Sequence, residues 1–408
     1  MVISNFKIYL LNVSAILVGL SVPSLVFGRA AIGIALGLAL ILSMIAINHR
    51  ETWQKIRPYL SKSFITLIAI TVLCSAINIP FSLRVDLSWE AWARTWALLA
   101  SIYYLFFCLR NQTQWVLSSL TLAVGLVCAL GLIGVIDISK PLMNGLLLTL
   151  PLCAYQCWKK SNILWFALCA FIAIGFIANA LMVYSKASVA GLVFISLTVT
   201  IIFGLTRLSL KKAALLLSVV TLVILAGLMV WLPDHINSSS TLNQDAATFP
   251  VWLVDLHRQL IWTFSVELAE KSPWVGFGLN ASNYHPDAQA TVGQYFGPRF
   301  EGMDQITVAP IMPAHPHNWI VEILVDGGLV ALIPVLVCVS LLFYYSIKSY
   351  TRTYHPALLA FLAISAGYWG TGLLNFSFWS VWWQAIYFIT SALCFVLYIQ
   401  RDEAAHEP

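Results

Sequence analysis

The sequence predicts an all-α integral membrane protein with about twelve transmembrane helices, each needing roughly 20 apolar residues to cross the hydrocarbon core. Two observations carry that prediction. Residues of the AVILMFWYC set make up 60% of the 408-residue chain and charged residues 10%, whereas soluble domains carry roughly 25% charge. The apolar residues also arrive in long unbroken runs. A β-barrel needs short segments of alternating hydrophobicity, so the class is helical.

The runs fall at 8–27, 30–48, 63–80, 90–109, 114–136, 141–158, 162–183, 187–206, 213–232, 318–346, 357–376 and 379–399. The first has no convincing small-residue cleavage site and is expected to stay as a helix rather than act as a signal peptide. The fourth begins with Trp89-Glu90-Ala91-Trp92-Ala93-Arg94, which suits an interfacial, amphipathic start better than hydrocarbon. Basic residues crowd into alternate connections, among them Arg50, Lys55, Arg57 and Lys62, then Arg110, Lys159, Lys160, Arg207, Lys211, Lys212, Lys348 and Arg352. The positive-inside rule puts these on the cytoplasmic side. An even number of spans then leaves both termini cytoplasmic. The net charge of +5 is therefore a matter of distribution across the membrane and not a nucleic-acid footprint. All eight cysteines lie within expected spans, so disulfides and a cysteine metal site are not expected.

Three regions follow: helices over 1–233, one large outer loop over 234–317, and further helices with a short tail over 318–408. The loop holds five of the eight histidines. It is too aromatic for a disordered tail, with Trp252, Trp262, Trp274, Tyr284, Tyr295 and Phe296. Val251, Val254, Ile261, Phe264 and Leu268 recur at helical spacing, which predicts an amphipathic helix over 251–270. Pro273 should stop it, and Gly276-Phe277-Gly278 should turn the chain. An ordered cap against the outer mouth of the bundle is expected.

Three groups of residues have chemical potential. His315-Pro316-His317-Asn318 directly precedes a long apolar run. Asn318 is a suitable N-cap, which puts His317 at the positive end of a helix and favours its neutral form. A neutral imidazole there is equipped to act as a general base, though such a histidine equally suits a plain hydrogen bond to a loop carbonyl. No third ligand stands at a familiar zinc spacing, so no metal is expected. Arg258, with Trp262 one turn later, is placed to stack on the indole and fork onto phosphate oxygens, or simply to pair with Asp255. Tyr184-Ser185-Lys186 puts a cation at the outer end of the seventh run, where a fixed charge is costly unless it snorkels. Glu322 and Asp326, four apart, should line a wet cavity or pair with Arg94, Arg29 or Arg84.

The order of these features is more specific than any one of them. A serine-basic pair at the outer end of a mid-chain span precedes Arg258-Gln259-Leu260-Ile261-Trp262. Then come Ser272-Pro273-Trp274-Val275-Gly276-Phe277-Gly278 and His315-Pro316-His317-Asn318, leading into Glu322, Gly327 and Gly328. The arrangement resembles the O-antigen ligase/polymerase superfamily of polytopic envelope glycosyltransferases, most closely over roughly 180–335. The resemblance implies an undecaprenyl-diphosphate-linked glycan as donor in the bacterial inner membrane, with the site facing the periplasm. It implies His317 as the base that activates the acceptor hydroxyl, and Arg258 and Lys186 as the diphosphate clamp. Asn318, Glu322, His315, Trp262 and Asp326 would support them. Lys186 departs from the family, which usually has arginine there; lysine keeps the charge and loses the bidentate fork.

With no Asp-rich magnesium motif on the outer side, the expected enzyme is metal-independent, needs no cofactor and inverts the anomeric centre. The expected acceptor is a lipid A-core sugar. A polymerase acting on a second lipid-linked repeat is the main alternative, and a protein O-oligosaccharyltransferase a further one. A secondary transporter would show inverted repeats and Gly/Pro-broken spans in matching halves, which this chain lacks. Besides donor and acceptor, the expected partners are membrane lipids.

Overall fold

The computed structural model describes residues 2–59, 62–207, 212, 254–297 and 307–406. Among these residues the chain is helical, with one isolated antiparallel bridge between Thr291 and Pro310. The first nine helices are α1 Val2–Ser21, α2 Ala30–Ala46, α3 His49–Ile56, α4 Lys62–Ala76, α5 Val85–Cys108, α6 Thr113–Leu132, α7 Lys140–Lys160, α8 Ile163–Met182 and α9 Lys186–Arg207. The cap contributes α10 Leu256–Lys271 and the short α11 Val292–Phe296. The chain closes with α12 Trp319–Thr353, α13 Pro356–Thr371 and α14 Val381–His406.

Helices thus occupy the expected apolar runs, except the run at 213–232, which lies outside the described residues together with Val251, Trp252 and His235. Among the described residues, six helices are long and apolar enough to cross a membrane. There are seven if Ala30–Ala46 and His49–Tyr59, bent by 106°, form one span. The fourth expected run begins earlier than its hydropathy suggests. Val85–Cys108 takes in the amphipathic start, where Trp89 and Trp92 stack at 5.0 Å and Trp92 Nε1 donates to Val72 O at 3.0 Å.

Helix α7 runs through the centre of the bundle. Leu142, Met143, Leu146, Leu147, Leu148 and Leu152 are buried, in one apolar cluster with residues of α1, α2, α5, α6, α13 and α14. Ile34 and Ile41 on α2 and Ile163, Leu164 and Ile174 on α8 are exposed; on a membrane protein such a surface meets lipid tails. The cap has a smaller cluster of its own, in which Leu256, Leu260, Phe264 and Leu268 of α10 meet Ala288, Val292, Ile311 and Met312. Val325 of α12 belongs to the same cluster, so the cap is docked on that helix. The predicted amphipathic helix is therefore present, and Lys271 ends it just before Pro273.

Helix α12 is two helices joined at a break. Gly328 has φ +61° and ψ −169°, and a break in a buried helix strands backbone groups that must find other partners. A strap from the cap supplies them. Leu329 N donates to Pro273 O at 2.8 Å and Val330 N to Trp274 O at 3.1 Å. In return, Phe277 N donates to Val325 O at 3.0 Å and Gly278 N to Asp326 O at 2.8 Å. The approach is close enough that a Cβ on Gly328 would lie 2.3 Å from the Trp274 carbonyl, and one on Gly276 2.5 Å from that of Asp326.

Gly328→Ala meets both a disfavoured φ and a backbone clash. It is expected to lower the melting temperature of the purified protein markedly, where an alanine at an ordinary exposed helix site would stabilise by about 0.4–1 kcal/mol. An unchanged melting temperature would show that strap and helix are not locked together.

Candidate active site

Asn318 caps α12 as the sequence suggests. Its Oδ1 accepts from Ile320 N at 3.0 Å and Val321 N at 3.3 Å. Trp319 N donates to Gly372 O at 3.0 Å, and Trp319 Nε1 to Trp369 O at 3.1 Å, so the start of α12 is tied to the end of α13. His317, just ahead of the cap, has φ +58°. Left-handed backbone is strained for most side chains, although histidine visits it more readily than branched residues.

The two histidines of the turn have opposite proton placements. His317 Nδ1 lies 3.1 Å from Asn375 O, 58 residues away in the α13–α14 connection. A carbonyl only accepts, so Nδ1 carries the proton and the lone pair is on Nε2. The His317 backbone N–H donates to His315 Nδ1 at 3.2 Å, which puts the proton of neutral His315 on Nε2. The rings are edge to face with centroids 4.1 Å apart. Trp262 Nε1 donates to Pro316 O at 2.8 Å, so helix α10 braces the turn from the cap side.

Both imidazoles are held neutral, chiefly by burial. For His317 the next cause is the Arg258 charge, opposed by the Asn375 hydrogen bond and by Asp255. His315 is pushed down to about 3 by burial, then by its neighbour His317 and by Arg258. The neutral state is the one expected from the sequence, with desolvation and the Arg258 guanidinium as its leading causes at His317.

Arg258 faces this turn electrostatically, and its Nε lies 3.3 Å from Asp255 Oδ2. Asp255 also caps α10, its Oδ1 accepting from Arg258 N at 3.0 Å. The expected stacking of Arg258 on Trp262 does not occur, because the indole turns toward Pro316. Lys186 opens α9 as an exposed residue after buried Ser185, whose Oγ is 2.7 Å from Ser188 Oγ. One turn on, a Cβ at Gly191 would touch the Thr371 methyl at 2.7 Å. Thr371 is followed by Gly372, the partner of Trp319. Lys186 and His317 thus share one end of the bundle, while Arg258, Trp262 and both histidines form the tighter group.

Glu322 and Asp326 overturn their sequence expectation. Each is 1% exposed, and neither pairs with a cation among the described residues. Glu322 accepts from the Ser377 hydroxyl and from Phe378 N at 2.6 Å. Asp326 accepts from Asn280 N at 3.0 Å, Ser282 N at 3.3 Å and Trp379 Nε1 at 2.7 Å. The cations named for them are engaged elsewhere: Arg84 with Asp86 at 2.7 Å, Arg94 with Glu90 at 2.7 Å, and Arg29 over the Trp382 ring at 5.4 Å. Neutral N–H and O–H donors satisfy these carboxylates without a buried ion pair. Asn375, Ser377 and Phe378 went unnoticed in the sequence. Their roles are mostly played by backbone atoms, which leave no signature in residue type.

Glu322→Gln keeps one acceptor oxygen but turns an amide N–H₂ toward a donor. One buried group is left unsatisfied, at a cost of about 1–3 kcal/mol. The expected result is a lower melting temperature together with slower turnover, since the loop that holds Asn375 is loosened. A protein with wild-type stability and rate would show that Glu322 does not hold that loop.

Comparison with known proteins points to the same stretch of the chain. Residues 168–336 match the family described as O-antigen ligase. A candidate polysaccharide ligase of Rickettsia felis is 24% identical over 209 residues, covering 51% of this chain and 45% of the relative. The Rickettsia prowazekii protein of the same description gives the same figures. The Rickettsia conorii one is 25% identical over 127 residues, covering 31% of this chain and 28% of the relative. The chain therefore spans less than half the length of these relatives. The stretch that is similar to the family described as O-antigen ligase contains Lys186, Arg258, both histidines of the turn and the Gly328 break.

Proposed function

We propose that the protein transfers a glycan from undecaprenyl diphosphate to a hydroxyl of a lipid A-core sugar, on the periplasmic side of the inner membrane. The observation that carries this reading is His317 Nδ1 held on Asn375 O at 3.1 Å, which leaves Nε2 as the basic atom of a neutral ring. In the proposed step Nε2 takes the acceptor hydroxyl proton while that oxygen attacks the anomeric carbon. The bond from that carbon to the diphosphate oxygen breaks, and undecaprenyl diphosphate leaves with the electron pair. Attack opposite the leaving group inverts the anomeric centre.

Arg258 and Lys186 then stabilise the negative charge that grows on the leaving group. Fixed cations do so more strongly in the transition state than in the ground state. Arg258 acts twice in this scheme, because the charge that would meet the diphosphate also keeps His317 deprotonated. His315 supports the turn as a hydrogen-bond acceptor. Transfer in vitro from a lipid-linked glycan to purified lipid A core tests the reading. Transfer only to a second lipid-linked repeat would replace ligase by polymerase.

His317→Ala is expected to lower the transfer rate by at least about 100-fold, the lower end of a general base's contribution, with donor binding little changed. His315→Ala should be much milder. Since the His317 pKa is lowered, the wild-type rate should hold into mildly acidic pH and fall only as pH drops through that lowered value. Removing the Arg258 charge lets the pKa rise, so the acid limb of Arg258→Ala should move to higher pH. An acid limb that stays in place would exclude His317 as the titrating base.

The two cations should also be separable. Arg258→Ala is expected to impair transfer severely and Arg258→Lys to recover little, because the fork is lost. Lys186→Arg should be tolerated. A folded but inactive Lys186→Arg protein would mean that the position needs a compact ammonium.

A further inference from the structure

At the end of the bundle opposite His317 lies a polar pocket that the transfer reaction does not use. Helix α5 fixes the relation of the two ends. Near its start, Arg94 Nη2 donates to Trp379 O at 3.0 Å, beside the loop that holds Asn375. At its finish, Phe107 and Cys108 line the pocket. The cavity is about 200 Å³, smaller than the roughly 300–1,000 Å³ of drug-sized ligand sites. It is formed by three separate pieces of chain: Leu11 of α1, the Ala46–Lys55 stretch around the α2–α3 bend, and the α5–α6 turn at Arg110–Gln112.

The lining combines cationic, amide and apolar side chains. Lys55 and Arg110 bring positive charge from two different elements, with amide groups of Asn111 and Gln112 beside them. The one carboxylate, Glu51, already accepts from Asn48 Nδ2 at 2.8 Å. Gln112 Oε1 is buried with no hydrogen-bond partner among the described residues. A buried amide oxygen of this kind calls for a donor, and a hydroxyl would supply one. Leu11, Ile47 and Phe107 form the apolar wall.

The setting selects among phosphate compounds. Helix α3 turns 106° away from α2, and its Trp53 is 55% exposed, as suits an indole at the level of lipid headgroups. On the orientation set by the basic loops, this is the leaflet whose anionic lipids attract Lys and Arg. We infer that the pocket binds the headgroup of an anionic, hydroxyl-bearing phospholipid, of the phosphoglycerol type. Lys55 and Arg110 hold the phosphate, Gln112 accepts from a glycerol hydroxyl, and the acyl chains lie along Leu11 and Phe107.

The test is the melting temperature of the full chain in detergent, titrated separately with phosphatidylglycerol, phosphatidic acid, phosphatidylcholine and inorganic phosphate. Phosphatidylglycerol should raise it by several degrees, and phosphatidylcholine and inorganic phosphate should not. The Lys55→Gln/Arg110→Gln double variant should lose the response, whereas Lys271→Gln, on the cap, should keep it. Gln112→Leu should respond equally to phosphatidic acid and phosphatidylglycerol, having lost only the hydroxyl contact. An equal rise with phosphatidylcholine, a full rise with inorganic phosphate alone, or an undiminished response in the double variant overturns the assignment. If the double variant is itself less stable, native mass spectrometry decides. Phosphatidylglycerol retained on it as on the wild type counts against the pocket, and at least about tenfold weaker retention supports it.

Discussion

A broken helix has to be repaired, and the repair organises the end of the bundle where His317 lies. At Gly328 the backbone leaves α12's helical path inside a buried setting, where no water stands in for the lost hydrogen bonds. The strap at 273–278 takes up both sides of the break, accepting from Leu329 and Val330 and donating to Val325 and Asp326. The cap is thereby stitched to the membrane helix by main-chain bonds as well as by the cluster around Phe264 and Val325. That fixed docking carries α10 to its place, and with it Arg258 and the Trp262 brace under Pro316. The placing of Arg258 and Trp262 is therefore referred back to helix α12.

The two buried carboxylates extend the same scheme. Asp326 gathers the end of the strap, and Glu322, one turn earlier, gathers Ser377 and Phe378. Helix α12 thus becomes a spine with the cap on one side and the α13–α14 connection on the other. His317 sits where the two meet: its main chain leads into the spine, its ring is bonded to the connection, and its charge state is influenced from the cap.

Much of this was legible in the sequence, and the remainder was hidden for definite reasons. The helical class follows from composition and run length. The stop after Lys271, the turn through Gly276 and Gly278, and the Asn318 cap follow from local stereochemistry that short peptides already express. The break at Gly328 was not legible, because apolar residues continue on both sides and a glycine within a helix usually signals packing. The partners of Glu322 and Asp326 were misjudged for another reason: acids in apolar surroundings suggest cations, whereas here turns arriving from far along the chain present N–H and O–H groups. The neutrality of His317 was foreseen, but its cause, burial beside Arg258, depends on a fold that sequence spacing does not reveal.

The partner chosen for His317 Nδ1 has a consequence of its own. In many proton-transfer sites a carboxylate occupies that position and stabilises the imidazolium once it forms. Asn375 offers only a main-chain carbonyl, a dipole without net charge. The hydrogen bond steers the ring to one tautomer and raises its basicity against burial and the Arg258 charge, but it brings no negative charge to pair with a captured proton. A carbonyl is also supplied by any amino acid, which leaves the side chain at 375 free to vary while the ring keeps its orientation. The orienting group of the site is in that sense invisible to selection on residue identity, and only the path of the backbone preserves it.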